Sequence, residues 1–507
     1  MFGDIIMLRL LFFFSILLVC DLVNAQRPVL MRSVRIVDGS GKPAFIGAVR
    51  VQDSLIVAVG DLQPEAGDSI IDGRGWVLAP GFIDTHSHHY GDLGSDPSSL
   101  PTNSQGITTI VTGQDGNGDL IDSIRAFLNR QPVSVNVATY TGHSSLRELV
   151  MGEDLFRPAN EREIEQMRWM LDIEMSKGSI GLSTGLEYEE AFYSSADEVL
   201  QLASAAAKRG GRYISHIRSE DITLDSAIEE ILHIGRVTRM PVQISHLKIG
   251  LKDKWDNSTA ILQRLEKARR EGIDVTADVY PYDFWNSTLR VLFPKRDYEN
   301  SESAEFAVRQ LFDPTKSVLV RYAPVPNYVG KTFSEVSRLR QKNESLTLMD
   351  LIAEASRFKK ENPSYPYSVA AIAAKAMWEE DVHRFIGWPQ SNLCSDGRSG
   401  GHPRGFGAFT KMLRVYVRER KQLSLEEAIH KMTGLAAAHV GIKKRGLIRP
   451  GYYADLVLFD LNTVSDHSDL TDPKALSTGI ERVWINGKLT YRAGFTTKER
   501  PGVFIAR

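Results

Sequence analysis

The chain has 507 residues and a formal net charge of −2, long enough for a large catalytic domain with smaller parts attached. Apolar residues at 42% and charged residues at 24% exclude a disordered chain and a polytopic membrane protein. Sixty-one Lys plus Arg against 63 Asp plus Glu leave no basic field with which to hold nucleic acid, and 2 Cys against 12 His make imidazole the expected chemistry.

Residues Met1 to Ala25 read as a secretory signal: Arg9, the apolar run Leu10 to Val19, then Val23-Asn24-Ala25 before a cut that leaves Gln26 first. The apolar run is too short for a helix that crosses a membrane, so the expectation is a secreted or periplasmic protein with no stable membrane insertion after cleavage. From Gln26 to about residue 78 the text is strand-like and punctuated by glycine, and 447–507 has the same texture. The two ends are expected to pair into one small β-sandwich.

Between them, residues 79–446 alternate strand and helix. Eight β-rich runs recur, at 81–84, 107–111, 135–138, 180–183, 212–215, 242–245, 275–279 and 392–395. Asn160 with Glu163, and Ser195 with Glu198, form capping-box patterns that open helices ending near Gly178 and Gly210, and a third helix runs from about Asn257 to Glu271. Repeated strand–helix units imply an α/β fold with a parallel sheet, and eight of them suggest a (β/α)8 TIM barrel. A charged, helix-prone insertion at about 285–385 separates the seventh and eighth runs.

In such a barrel the chemistry sits where strands end. The first run ends in His86-Ser87-His88, whose alternation puts both imidazoles on one face. Others end in Asp115, His143, His216, His246 and Asp396. A lone His is ordinarily a satisfied polar residue and an Asp before Gly a turn former; the register of the set is what points elsewhere. Imidazoles and carboxylates converging on a barrel mouth suit Zn²⁺ or a similar first-row cation, one or two ions. The metal set is therefore His86, His88, Asp115, His216, His246 and Asp396.

Pro80 to His88, Gly142 to Arg147, Gly185-Leu186-Glu187-Tyr188, Ser215-His216-Ile217-Arg218-Ser219-Glu220, Ile244 to Lys248, Tyr280-Pro281-Tyr282 and Ser395-Asp396-Gly397 resemble the N-acyl-D-amino-acid deacylases (D-aminoacylases) of the amidohydrolase superfamily, over essentially the whole mature chain. The resemblance implies cation-dependent hydrolysis of an N-acyl-D-amino acid to a carboxylic acid and a D-amino acid. It implies that Asp396 takes the proton of the attacking water and that Lys248 contacts the substrate carboxylate. Tyr280, Tyr282, Arg218 and Ser287 are further candidates for binding substrate, and His143 for lining the pocket. One departure matters: the resembled enzymes often carry a Cys ligand where this chain has Asp115, and Cys394, the one thiol of the mature chain, is expected to face away from the site. The competing readings are a cyclic-amide hydrolase of the dihydropyrimidinase or hydantoinase type, a D-specific dipeptidase and a catalytically inactive metal-binding protein. The first of these needs a carboxylated Lys on the fourth strand, where Gly181 to Leu186 has none. The partner is a small-molecule substrate; preferred side chain and oligomeric state have no readable code.

Overall fold

The computed structural model describes residues 27–365 and 368–507; the expected export signal lies outside them. The two chain ends meet in one hydrogen-bonded sheet of nine strands. Val29–Ile36, Phe45–Gln52, Leu55–Gly60, Ser69–Asp72 and Val77–Pro80 come from the N-terminal side. Leu456–Phe459, Ile480–Ile485, Lys488–Arg492 and Phe495–Thr496 come from the other. Val77–Pro80 is the seam: it runs parallel to Val29–Ile36 on one side and antiparallel to Leu456–Phe459 on the other. Alternating apolar residues from both ends, among them Val34, Val49, Ile56, Leu456 and Trp484, close one core cluster. Asn486 and Gly487, at φ 49° and 76°, make the two-residue turn whose left-handed pair matches strand twist in a hairpin.

The body is α/β, and its eight expected strands all form. Phe82–Asp84, Ile107–Thr112 and Asn136–Thr139 make one parallel sheet. Thr141–Gly142, Gly181–Gly185, Arg212–His216, Val242–Ile244, Val275–Val279 and Ser391–Leu393 make a second. Tyr140 alone separates the two segments of the third strand, so one stretch of chain serves both sheets. At the other margin the end of the eighth strand bonds to the end of the first: Asp396 N donates to His86 O at 2.9 Å and His88 N to Gly397 O at 2.9 Å. The helices follow their caps. Asn160 and Glu163 exchange both bonds of a capping box ahead of Glu161–Lys177, which buries Ile164, Met167, Leu171 and Met175. Ser195 accepts from Glu198 N ahead of Ala196–Lys208, while the Glu198 carboxylate turns inward to His143 and Arg147. Ser258–Arg270 supplies the third expected helix.

The insertion forms helices, as its helix-prone sequence suggests, but they cover a sheet that the sequence did not announce. Phe284–Ser287 and Val318–Tyr322 flank Ala370–Lys375 in an antiparallel sheet, covered by Ser301–Gln310, Phe333–Leu339 and Glu344–Glu361. Leu292, Phe312, Phe333, Leu348 and Ile372 form a core of its own. The central strand reads Ala-Ala-Ile-Ala-Ala-Lys, a sequence of high helix propensity that tertiary pairing overrides.

Candidate active site

The polar residues gather at the C-terminal ends of the parallel strands because the chain bends sharply there. His86 and His88 alternate after the first strand. Asp115 sits in a left-handed turn at φ 55°, between Gly113 at 70° and Gly116 at 78°. His216 ends the fifth strand, His246 follows the sixth at φ 35°, and Asp396 follows the eighth at φ 48°. Three non-glycine residues in this region cost about 1–3 kcal/mol each, so the surroundings must hold them. They do: His246 N donates to Asp278 Oδ1 at 2.6 Å, Asp396 N to His86 O at 2.9 Å, and Gly116 N to Ser183 Oγ at 3.1 Å.

Three groups of ligand atoms result; Asp115 belongs to two of them, and the third joins Glu187, His216 and Glu220. In the first, Asp115 Oδ1 lies 3.3 Å from His86 Nε2 and Asp115 Oδ2 lies 3.3 Å from His88 Nε2, with Asp396 Oδ1 3.2 Å from His88 Nε2. In the second, Asp115 Oδ1 is 3.4 Å from His246 Nε2, and His216 Nδ1 is 3.1 Å from the same nitrogen. Nδ1 and Nε2 of His86 and Oδ1 of Asp115 are buried without a hydrogen-bond partner among the described residues. Buried polar atoms left bare are costly, and lone pairs converging from several strands fit a cation. The field agrees. Burial disfavours charge on His88, yet Asp115 and Asp396 outweigh it and raise its pKa to about 9. Burial likewise opposes the ionised Asp396, yet Arg404 and the imidazoles hold it well below the usual carboxylate range. The cluster stabilises positive charge at its centre.

A cavity of about 710 Å³ opens over this cluster, lined by His88, Asp115, Ser287, Asp396 and Arg404 among others. A narrower inner pocket shares Glu187 and Tyr188 with it and adds His216, Glu220, His246, Lys248 and Tyr280. Lys248 and Ser287 therefore face the mouth as expected, and so does Tyr280, whose hydroxyl is buried and unpartnered. Three expected residues do not. Tyr282 N bonds back to Tyr280 O at 3.0 Å, a tight turn at Pro281 that sends the second ring away, to Lys411 and His402. Arg218 forks onto Glu230 with two 2.8 Å bonds and donates to Ser194 O, which occupies its planar donors. His143 opens the helix His143–Met151 and pairs with Glu198 at 2.9 Å. Cys394 turns onto Asp278 Oδ1 at 3.1 Å and joins none of the ligand groups.

The structure adds Arg404 to the site. Buried, it sets Nη1 2.7 Å from Asp396 Oδ2 and lies 4.7 Å over the Tyr280 ring; Asp396 is the one carboxylate it pairs with among the described residues. His402, itself buried, accepts from Arg404 N at 3.0 Å and so fixes where that side chain begins. Glu187 and Glu220 were not expected at the site. Both stand in motifs quoted above, and the signal for each was its position just past a strand end.

Parallel strands that present imidazoles and carboxylates from their C-terminal ends to a cavity define the kind of site that holds catalytic cations. The amidohydrolase family model matches residues 77–490, and the chain belongs to that family. It is 36% identical over 515 aligned residues, 96% of each chain, to the N-acyl-D-aspartate deacylase of Alcaligenes xylosoxydans xylosoxydans. It superposes on the N-acyl-D-glutamate deacylase of Bordetella bronchiseptica, solved with zinc and a phosphonate mimic of the reaction's tetrahedral intermediate, with TM-score 0.83 at 30% identity, covering 94% of this chain and 99% of that one. A D-aminoacylase with a binuclear metal centre matches with TM-score 0.82 at 30% identity over the same shares.

Proposed function

We propose that this protein hydrolyses the amide bond of N-acyl-D-amino acids, releasing a carboxylic acid and a D-amino acid, with one or two Zn²⁺ ions. The observation that carries the reading is the unpartnered cluster of His86 and Asp115 beside a buried Arg404 and a bare Tyr280 hydroxyl: one part fits a cation, the other an anion. Asp115, His216 and His246 would hold one cation, and His86, His88, Asp115 and Asp396 a second. When bound, the cation polarises the amide carbonyl and acidifies water towards a pKa of about 7. Asp396 accepts the proton of the attacking water and delivers it to the departing amide nitrogen, so that the amine leaves neutral. Arg404 holds Asp396 ionised and aimed for that exchange. Lys248, Tyr280, Ser287 and the free edge of Arg404 offer a charged and hydrogen-bonding seat for the substrate carboxylate.

The same reading takes the two parallel sheets as one closed (β/α)8 barrel of residues 79–446, supported by the bonds from the eighth strand to the first, with 26–78 and 447–507 as the composite β unit beside it. Residues 1–25 serve as a cleaved export signal to the periplasm or medium; N-terminal sequencing of secreted protein then begins at Gln26, and a retained Met1 contradicts this. The activity is tested on N-acetyl-D and N-acetyl-L derivatives of Met, Leu, Phe, Glu and Asp, with D-dipeptides and dihydrouracil alongside. Hydrolysis confined to the D-acyl series is expected. Turnover of dihydrouracil with neither acyl series overturns the proposal.

A further inference from the structure

We propose that Glu187 and Glu220 are positioning residues that hold the two imidazoles His216 and His246 from behind, each fixing the tautomer that leaves a lone pair for the cation. The inference rests on the reading that these two histidines bind it. His216 turns Nδ1 toward the ligand group and sets Nε2 2.8 Å from Glu187 Oε2; Glu220 Oε2 stands farther from the same Nε2, at 3.7 Å. A ligating nitrogen must be unprotonated, so the proton belongs on Nε2 and is donated to Glu187. His246 is reversed. Its Nε2 faces Asp115 Oδ1 at 3.4 Å, and its Nδ1 lies 3.0 Å from Glu220 Oε1.

Lys248 Nζ lies 2.7 Å from that Nδ1 and 2.6 Å from Glu220 Oε1, which offers a rival arrangement. If Nδ1 accepted from Lys248, its proton would sit on Nε2 and point at the cation. Glu220 removes the conflict: it accepts from both neighbours, and the ammonium neutralises it. The two carboxylates come from different places, Glu187 from just beyond the fourth strand and Glu220 four residues after His216, so one lost contact leaves the other histidine supported. Outer carboxylates of this kind raise ligand basicity, and their removal costs about 10–100-fold in metal affinity.

The test uses the holoprotein and the single variants Glu187→Ala, Glu187→Gln, Glu220→Ala and Glu220→Gln, with Zn²⁺ affinity measured by competition against a chromophoric chelator. Saturating metal content and the absorption spectrum of the Co²⁺-loaded form are recorded for each. The alanine variants are expected to bind Zn²⁺ about 10–100-fold more weakly and the glutamine variants to lose less. Metal content at saturation stays that of the unaltered protein, and the Co²⁺ spectrum shifts. Unchanged affinity with a raised KM makes the carboxylates substrate contacts and overturns the inference. Loss of one bound ion at saturation makes them direct ligands and overturns it equally. Should an alanine variant fail to fold, the glutamine variant, of the same size, decides. If the unaltered protein takes up no Zn²⁺, or His216→Ala binds it as tightly as the unaltered protein, the underlying site reading fails instead.

Discussion

Asp396 and Tyr280 separate chemistry from architecture at the level of single residues. Asp396→Asn keeps the shape but cannot take a proton from water. The rate should fall by about 10²–10⁴ while the ion held by Asp115, His216 and His246, measured by elemental analysis, is retained; full activity with that ion in place removes Asp396 from the reaction. Tyr280→Phe deletes a buried hydroxyl that has no partner among the described residues. The free protein should be as stable as before or more so in a urea melt. KM should rise by about 10-fold or more, as befits a lost hydrogen bond to a charged group. A destabilised variant with unchanged KM assigns Tyr280 to the scaffold. The histidines were legible in the sequence because period-two alternation and strand ends leave a register that composition does not. The pairing of Arg404 with Asp396 was not, since Arg404 starts a helix beyond the eighth strand and reaches back only in three dimensions. Arg218 and Tyr282 misled for the converse reason: each follows a strand end, but a fork onto Glu230 and a turn at Pro281 carry them elsewhere.

Elements explain what their own sequences could not. Ser195 and Glu198 read as a reciprocal capping box, but the glutamate is fully buried and serves the packing of three elements. Its carboxylate takes His143 Nε2 at 2.9 Å, Arg147 Nη1 at 2.5 Å and Ala159 N at 3.1 Å. Burial pushes the Glu198 pKa up, and His143 with Arg147 outweigh it, bringing it to about 2 against an ordinary 4.5. Its stabilising contribution is thus complete above pH 4.5 and fades as pH falls toward 2. Glu198→Gln leaves Arg147 buried without a counter-charge and should cost about 3–5 kcal/mol near pH 7, with the gap to the unaltered protein narrowing in melts at pH 3. A gap that is independent of pH refutes the ion-pair account.

The C-terminal tail is a second such element. Gly502 N bonds to Val133 O, Val137 N to Val503 O and Ile505 N to Val137 O, at 2.9, 2.9 and 2.8 Å. Ile505 packs with Ile180 and Ile214 at the end of the strands opposite the site. Removing 502–507 should lower stability by about 1–3 kcal/mol through lost apolar burial and leave KM unchanged. An altered KM would mean that the tail acts on the mouth. The strands of the insertion, with their alanine-rich centre, show how far propensity alone misreads a segment that pairs across more than 80 residues of chain.

The whole molecule joins a balanced charge and ordinary composition to one concentrated feature. Four of the 12 histidines and two aspartates are drawn together from five strand ends, and the sheet assembled from both chain termini flanks the body that holds them. Eight strands and three of the helices were readable because periodicity and caps are local signals. The ligand geometry was not, because turns with positive φ at Asp115, His246 and Asp396 decide it. With Asp115 shared between two ligand groups, the site is built from nitrogen and oxygen, harder than one with sulfur. The central claim is that this cluster makes D-acyl hydrolysis depend on a bound cation. Chelator-stripped protein should be inactive on N-acetyl-D-amino acids and should recover its rate as Zn²⁺ is titrated back, with no activity on the L series at any point. Undiminished hydrolysis by protein shown to be free of metal would contradict the account.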